Sequence, residues 1–207
     1  MVHLVDDDEA IRRSASFMLR TSGFLVTTYA SGVEFLAVDR NELEAGCVLL
    51  DVRMPLMDGL EVQRALRDRG TLLPVVVMTG HGDVGVAVQA MKAGAVDFIE
   101  KPFEKATLLG ALEQGFDRLN RAGKRHARAH EAKARLQSLT AREMDVLQGL
   151  VRGHPNKTIA YDLGISPRTV EIHRANLMAK LDVASLSEAL RIAFAAGLGE
   201  SVDEPGP

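Results

Sequence analysis

Val48-Leu49-Leu50-Asp51 is a run of three apolar residues that ends on an acid, and the chain repeats this arrangement. Val2–Val5 runs into Asp6-Asp7-Asp8, Pro74–Met78 runs into Thr79, and Val96–Ile99 is followed two residues later by Lys101. With Phe24–Tyr29 these runs predict five strands. Between them, Ala10–Ser22, Gly32–Val38, Leu60–Arg69, Val84–Ala93 and Lys105–Leu119 carry helical periodicity. Ser31 and Glu34 have the spacing of a capping box for the second helix. Strands alternating with helices imply a parallel sheet covered on both faces. In such sheets the functional crevice lies outside the carboxyl ends of the strands, which is where the acids, Thr79 and Lys101 fall.

Those residue types in one crevice point to a particular chemistry. Crowded carboxylates repel one another and raise each other's pKa values. A divalent cation relieves that repulsion, and oxygen donors with room for water suit Mg²⁺ better than a softer metal. A carboxylate nucleophile beside a lysine ammonium and a hydroxyl suits phosphoryl transfer to aspartate, where positioning and charge neutralisation carry the reaction. Each acid alone has an ordinary structural explanation. Read singly, Asp6–Asp8 cap the first helix and Asp51 is a surface acid.

Composition sets the wider limits. The chain has 207 residues, 46% of them apolar, enough for more than one packed core. No apolar run reaches the roughly 18 residues of a membrane span, and the N-terminus does not read as a signal peptide. The single cysteine, Cys47, lies in an apolar run and reads as a small buried hydrophobe of a cytoplasmic protein. Charge is unevenly spread. Residues 1–116 hold 11 basic and 17 acidic side chains, 117–138 hold 7 and 2, and 139–207 hold 7 and 9. The basic stretch, with Arg118, Arg121, Lys124, Arg125, Arg128, Lys133 and Arg135, is expected to be a solvated helical linker broken or frayed near Gly123.

A second domain begins near Thr140, where Thr140 and Glu143 predict a capping box. Pro155-Asn156 opens a second helix over Asn156–Leu163, and Gly164 closes it as a left-handed cap. Ser166 followed by Pro167 starts a third helix, and a fourth spans Ser185–Ala196. Helix, short glycine-containing turn and helix form a helix-turn-helix. At 100° per residue, Val170, Leu177 and Leu181 of the third helix face inward, with His173 on the flank. Arg168, Glu171, Ile172, Ala175 and Ala179 face outward. Small and apolar residues on an exposed face suit close approach to thymine methyl groups, and Glu171 suits cytosine N4. Lys157, Thr169, Asn176 and Lys180 are placed to reach phosphates.

The strings Val5-Asp6-Asp7, Asp51-Val-Arg-Met-Pro55, Asp58-Gly59, Met78-Thr79-Gly80 and Lys101-Pro102-Phe103 resemble the response-regulator receiver family. Thr79-Gly-His-Gly-Asp83, Ala90-Met-Lys-Ala-Gly-Ala-Val-Asp-Phe98 and Glu100-Lys-Pro-Phe-Glu104 resemble its FixJ branch. Leu139-Thr-Ala-Arg-Glu143, Asn156-Lys-Thr-Ile-Ala160, Ile165-Ser-Pro-Arg-Thr-Val170, His173 and Lys180-Leu181 are similar to the LuxR/FixJ/NarL output domain. The resemblance implies a flavodoxin-like α/β receiver with a doubly wound five-stranded parallel sheet, followed by an all-α helix-turn-helix domain. The expected bounds are 1–118 for the receiver, 119–138 for the linker, 139–199 for the DNA-binding domain and 200–207 for a disordered tail. It implies that Asp51 accepts the phosphoryl group and that Asp6, Asp7, Asp51 and the backbone carbonyl of Arg53 hold Mg²⁺, which leaves Asp8 as a helix cap rather than a ligand. Lys101 and Thr79 would contact the phosphoryl oxygens, and Phe98 would be the aromatic that turns inward with Thr79. Gly85 stands where FixJ proteins often have proline, which implies a looser start to the fourth helix.

The implied protein is no conventional enzyme. It takes phosphate from a sensor histidine kinase, pairs as a homodimer when phosphorylated, binds double-stranded promoter DNA, and regulates transcription with RNA polymerase, activation being the expected sense. Two other readings fit parts of the sequence. A phosphatase of the haloacid-dehalogenase type also uses an aspartate nucleophile, but it expects a second acid two residues later, where this chain has Arg53. A signalling adaptor would use its last domain to grip protein instead of DNA.

Overall fold

The computed structural model describes residues 1–71, 73–80 and 84–199, and the tail expected over 200–207 lies outside them. The chain divides into two compact units between Ala122 and Gly123, within the stretch read as a linker.

The first unit is a five-stranded sheet of β1 (Val2–Val5), β2 (Val26–Tyr29), β3 (Cys47–Asp51), β4 (Val75–Thr79) and β5 (Asp97–Glu100), in the order β2-β1-β3-β4-β5. All neighbouring strands are parallel. β1, β3 and β4 are fully buried, as central strands covered on both faces must be. Side chains alternate between two cores, with Leu50, Val48 and Val77 on one face and Leu49, Val76 and Met78 on the other. The helices are α1 (Glu9–Arg20), α2 (Gly32–Ala37), α3 (Gly59–Asp68), α4 (Val84–Lys92) and α5 (Lys105–Leu136).

Three local expectations need correction. β2 begins at Val26 rather than Phe24. Gly23 takes a left-handed φ of 90°, the Phe24 N–H returns to Leu19 O (3.1 Å), and the Phe24 ring stacks on Phe116 at 5.6 Å, so Phe24 closes the turn after α1. The Ser31–Glu34 capping box is half formed. Glu34 N–H donates to Ser31 Oγ, but the Glu34 carboxylate accepts from Ala30 N–H (2.6 Å) instead of from Ser31. A complete box appears instead at Asp58–Glu61, at the head of α3. Finally, α5 is helical without a break through Gly123. One glycine costs about 1 kcal/mol relative to alanine, and the alanines, arginines and lysines around it are strong helix formers.

The second unit is a four-helix cluster of α6 (Ala141–Val151), α7 (Asn156–Leu163), α8 (Pro167–Lys180) and α9 (Leu186–Ala195). Leu147, Ile159, Val170, Leu177 and Leu181 form its core together with Leu136 from the end of α5. The capping signals read from the sequence are in place. Thr140 and Glu143 form a reciprocal box, Gly164 is left-handed at φ 65°, and Ser166 accepts from Thr169 N–H ahead of Pro167.

Candidate functional site

The parallel sheet delivers four polar groups to one edge. Asp6 follows β1, Asp51 and Thr79 are the last residues of β3 and β4, and Lys101 follows β5. Asp6, Asp51 and Thr79 are buried. Lys101 Nζ donates to Asp6 Oδ2 at 2.6 Å and to Asp51 Oδ1 at 2.8 Å, and its backbone N–H donates to Thr79 O. One carboxylate oxygen each from Asp6, Asp7 and Asp51 lies within 4.8 Å of the others. Asp8 is turned away, accepting from Ala10 N–H and Ile11 N–H as the cap of α1. It is thus a cap and outside the acidic cluster, as its sequence position suggested.

The electrostatics follow from burial and crowding. Burial pushes the Asp51 pKa above the ordinary carboxylate value, and the charges of Asp6 and Asp7 push it further, against the pull of Lys101. Burial works against the Lys101 charge, but hydrogen bonds to Asp51 and Asp6 outweigh it and hold its pKa above the usual lysine value. Three carboxylates face one ammonium, so the pocket favours added positive charge. Clustered oxygen donors, one of them on exposed Asp7, suit a hard divalent cation that keeps part of its water shell.

Three features of this edge are invisible in the linear pattern. Gly59 packs so closely that a Cβ there would lie 2.3 Å from Asp51 O, and its N–H donates to Val52 O, closing the loop that follows Asp51. Arg12 reaches back from α1 to donate to Asp6 O at 2.7 Å. Asp8 N–H donates to Asp6 Oδ1 at 2.9 Å, which orients that carboxylate. Thr79 Oγ1 lies 3.3 Å from Gly80 O. Phe98 is 45% exposed on β5, paired in register with Val77. Arg53 sits on the exposed loop two residues past Asp51.

In the second unit, α7 and α8 flank the Gly164 turn. Val170 and Leu177 are buried, while Arg168, Glu171, Ile172, Ala175, Asn176 and Ala179 are exposed, so the expected outward face forms. Ile172 is 50% exposed despite being apolar. Lys157 is exposed on α7, and Thr169 is half-buried with its hydroxyl 2.8 Å from Ser166 Oγ. Lys180 has a partner the sequence did not reveal. Its ammonium donates to Glu143 Oε2 at 2.7 Å, and Glu143 is buried. Burial raises the Glu143 pKa, but Lys180 and Thr140 more than offset this and hold it below the usual value. Arg174 Nη1 likewise donates to Asn156 Oδ1 at 2.8 Å, tying α8 to the start of α7. Arg168 Nη1 donates to Glu171 Oε2 at 2.9 Å on the outward face.

The chain matches the response regulator receiver domain over residues 2–113 and the bacterial regulatory proteins, luxR family, over residues 137–193. It is 50% identical to the transcriptional regulatory protein FixJ of Rhizobium meliloti over 200 residues, covering 97% of this chain and 98% of that one. It is 48% identical to FixJ of Azorhizobium caulinodans over 202 residues, covering 98% and 95%. Among solved structures it resembles the response regulator StyR at 41% identity and a TM-score of 0.75, over 93% of this chain and 97% of that one.

Proposed function

This chain belongs to the response-regulator family that joins a receiver to a LuxR-type DNA-binding domain, and on that premise we propose that Asp51 is its phosphoacceptor. It is a two-component, FixJ-like transcriptional regulator and not an enzyme, and the receiver implies a histidine kinase partner. The observation that carries the proposal is the convergence of Asp6, Asp7, Asp51 and Lys101 at one sheet edge.

An Asp51 carboxylate oxygen attacks the phosphorus of the donor. The new P–O bond forms as the P–N bond to the kinase histidine breaks, and the released imidazole takes up a proton. Asp6, Asp7, Asp51 and the Arg53 backbone carbonyl would hold Mg²⁺, which supplies charge neutralisation at the incoming phosphoryl group. Lys101 is close enough to Asp51 to pair with the new phosphoryl oxygens. Thr79 ends the adjacent strand and turns its hydroxyl toward the phosphate. Phe98, exposed before that event, follows Thr79 inward.

The added charge of about −1.5 to −2 biases the receiver toward a second state. That state pairs two receivers in the cytoplasm, and the helical stretch 119–138 links each to a released 139–199 domain. Two helix-turn-helix domains then read paired half-sites on promoter DNA. In that reading Ile172 and Ala175 approach base edges, while Lys157, Thr169 and Asn176 contact the backbone. Arg168 and Glu171 act on the same face, Lys180 supports the fold through Glu143, and activation proceeds through RNA polymerase. Incubation with acetyl phosphate tests the phosphoacceptor. Wild type gains one acid-labile phosphoryl group only with Mg²⁺, and Asp51→Asn gains none. Labelling of Asp51→Asn at the wild-type rate would overturn the assignment.

A further inference from the structure

The cations of α8 are Arg168, Arg174 and Lys180, and the structure divides them. Arg174 is held by Asn156 and Lys180 by buried Glu143, so each is tied to a neighbouring helix of the domain. Arg168 alone lies on the outward face, with a side chain 82% exposed. Its position is costly for the helix. It sits in the first turn, where the amide dipoles disfavour a cation. Glu171, one turn on, accepts from its guanidinium at 2.9 Å. An acid on a DNA-facing surface is costly as well, because it repels phosphates. Each residue is a poor choice alone, and together they offset one another, the Glu171 carboxylate giving the guanidinium a preferred direction.

We propose that Arg168 reads a guanine in the major groove and that Glu171 is a positioning residue that aims it. The proposal rests on the reading of this domain as DNA-binding and deepens it. The first turn of a recognition helix is the part that meets base edges, and arginine bound bidentately to guanine O6 and N7 is the commonest specific contact there. Ala175 and Ala179 leave the same face uncrowded, so the helix can come close enough for a first-turn side chain to reach the base. This replaces the direct contact of Glu171 with cytosine N4 suggested by residue type alone, because the carboxylate already holds Arg168. Glu171 keeps the arginine from collapsing onto a phosphate, which would add affinity without selectivity.

The test is selection from random-sequence DNA with full-length protein phosphorylated by acetyl phosphate, followed by binding titrations. Wild type enriches a site with a guanine in each half. Arg168→Ala lowers the preference at that one position by roughly five- to a hundredfold. Glu171→Ala lowers the preference at the same position and raises affinity for unrelated DNA, since an uncompensated acid has gone and Arg168 is free to find a phosphate. Glu171→Gln gives a smaller loss, because the amide oxygen still accepts. Combined with Arg168→Ala, Glu171→Ala costs nothing further at that position. Thermal melts of each variant, matching wild type, show that the exposed substitutions leave the fold intact. A guanine that survives Arg168→Ala overturns this proposal alone, as does a Glu171→Ala effect at a different base. Wild type that retains no DNA overturns the DNA-binding reading and this proposal with it.

Discussion

The receiver edge and the outward face of α8 handle charge in opposite ways. At the receiver edge, Asp6 and Asp51 are buried, crowded by exposed Asp7 and held by backbone topology, so the groups proposed to react are also structural members. On α8 most of the proposed contact residues are exposed, and the charges that matter to the fold pair as Glu143–Lys180 and Asn156–Arg174. Substitutions at the receiver edge should therefore alter stability and function together. On α8 the two should separate.

The largest expected effect breaks the receiver edge without touching a charge. Gly59→Ala places a Cβ against Asp51 O, a backbone contact that no rotamer can relieve. Overpacking of this kind costs about 1–3 kcal/mol. The receiver should lose about that much unfolding free energy, melting earlier, and phosphorylation by acetyl phosphate should slow. An unchanged melt would show that the loop after Asp51 yields to the added methyl group.

The counterpart in the second unit is Glu143→Ala. It removes half of a capping box and the partner of Lys180. Loss of such a cap costs about 0.5–2 kcal/mol. The second unit should melt earlier while the receiver still takes up phosphate normally. If phosphorylation falls as well, the separation between the two regions is wrong.

A smaller effect concerns His3 on β1. Nε2–H of the buried ring donates to Glu44 O at 2.9 Å, and Nδ1 lies 3.3 Å from the Tyr29 hydroxyl. Burial lowers its pKa below the ordinary histidine value of 6.5. The unfolded chain therefore takes up a proton that the folded receiver refuses. This stabilisation is complete above the ordinary histidine value, and it is lost as pH falls from there through the lower folded-state value. His3→Gln should flatten that part of the stability–pH curve, measured by denaturant titration. A curve as steep as wild type would assign the acid sensitivity to another group.

The smallest effect on stability and the sharpest on selectivity belong to α7 and α8. Ile172→Ala should leave the melt within about 0.5 kcal/mol of wild type and change which sequence is preferred. Lys157→Ala should weaken all DNA alike and lower the salt dependence. Equal losses for both variants on specific and scrambled DNA would mean that the two roles are wrongly divided.

What could be read from the sequence also differs between the regions. Strand-end residues such as Asp51, Thr79 and Lys101 were legible because parallel topology sends strand ends to one place. Caps such as Asp8, Thr140, Gly164 and Ser166 were legible because their partners lie within four residues. Gly59 against Asp51 O, Arg12 against Asp6 O and Lys180 against Glu143 were not, because each needs the tertiary approach of separate elements. Gly123 shows the same limit of a local reading. Alone it is a helix breaker, but the strong helix formers on both sides carry α5 through it.

The central claim is that a phosphoryl group on Asp51 governs DNA binding by the second unit. Its most direct test is a binding titration of full-length wild type and Asp51→Asn against a paired site, each with Mg²⁺, with and without acetyl phosphate. Wild type should bind the paired site cooperatively only with the phosphodonor, and Asp51→Asn should bind weakly in both conditions. Equal affinity of wild type with and without the phosphodonor, or a donor response retained in Asp51→Asn, would contradict it.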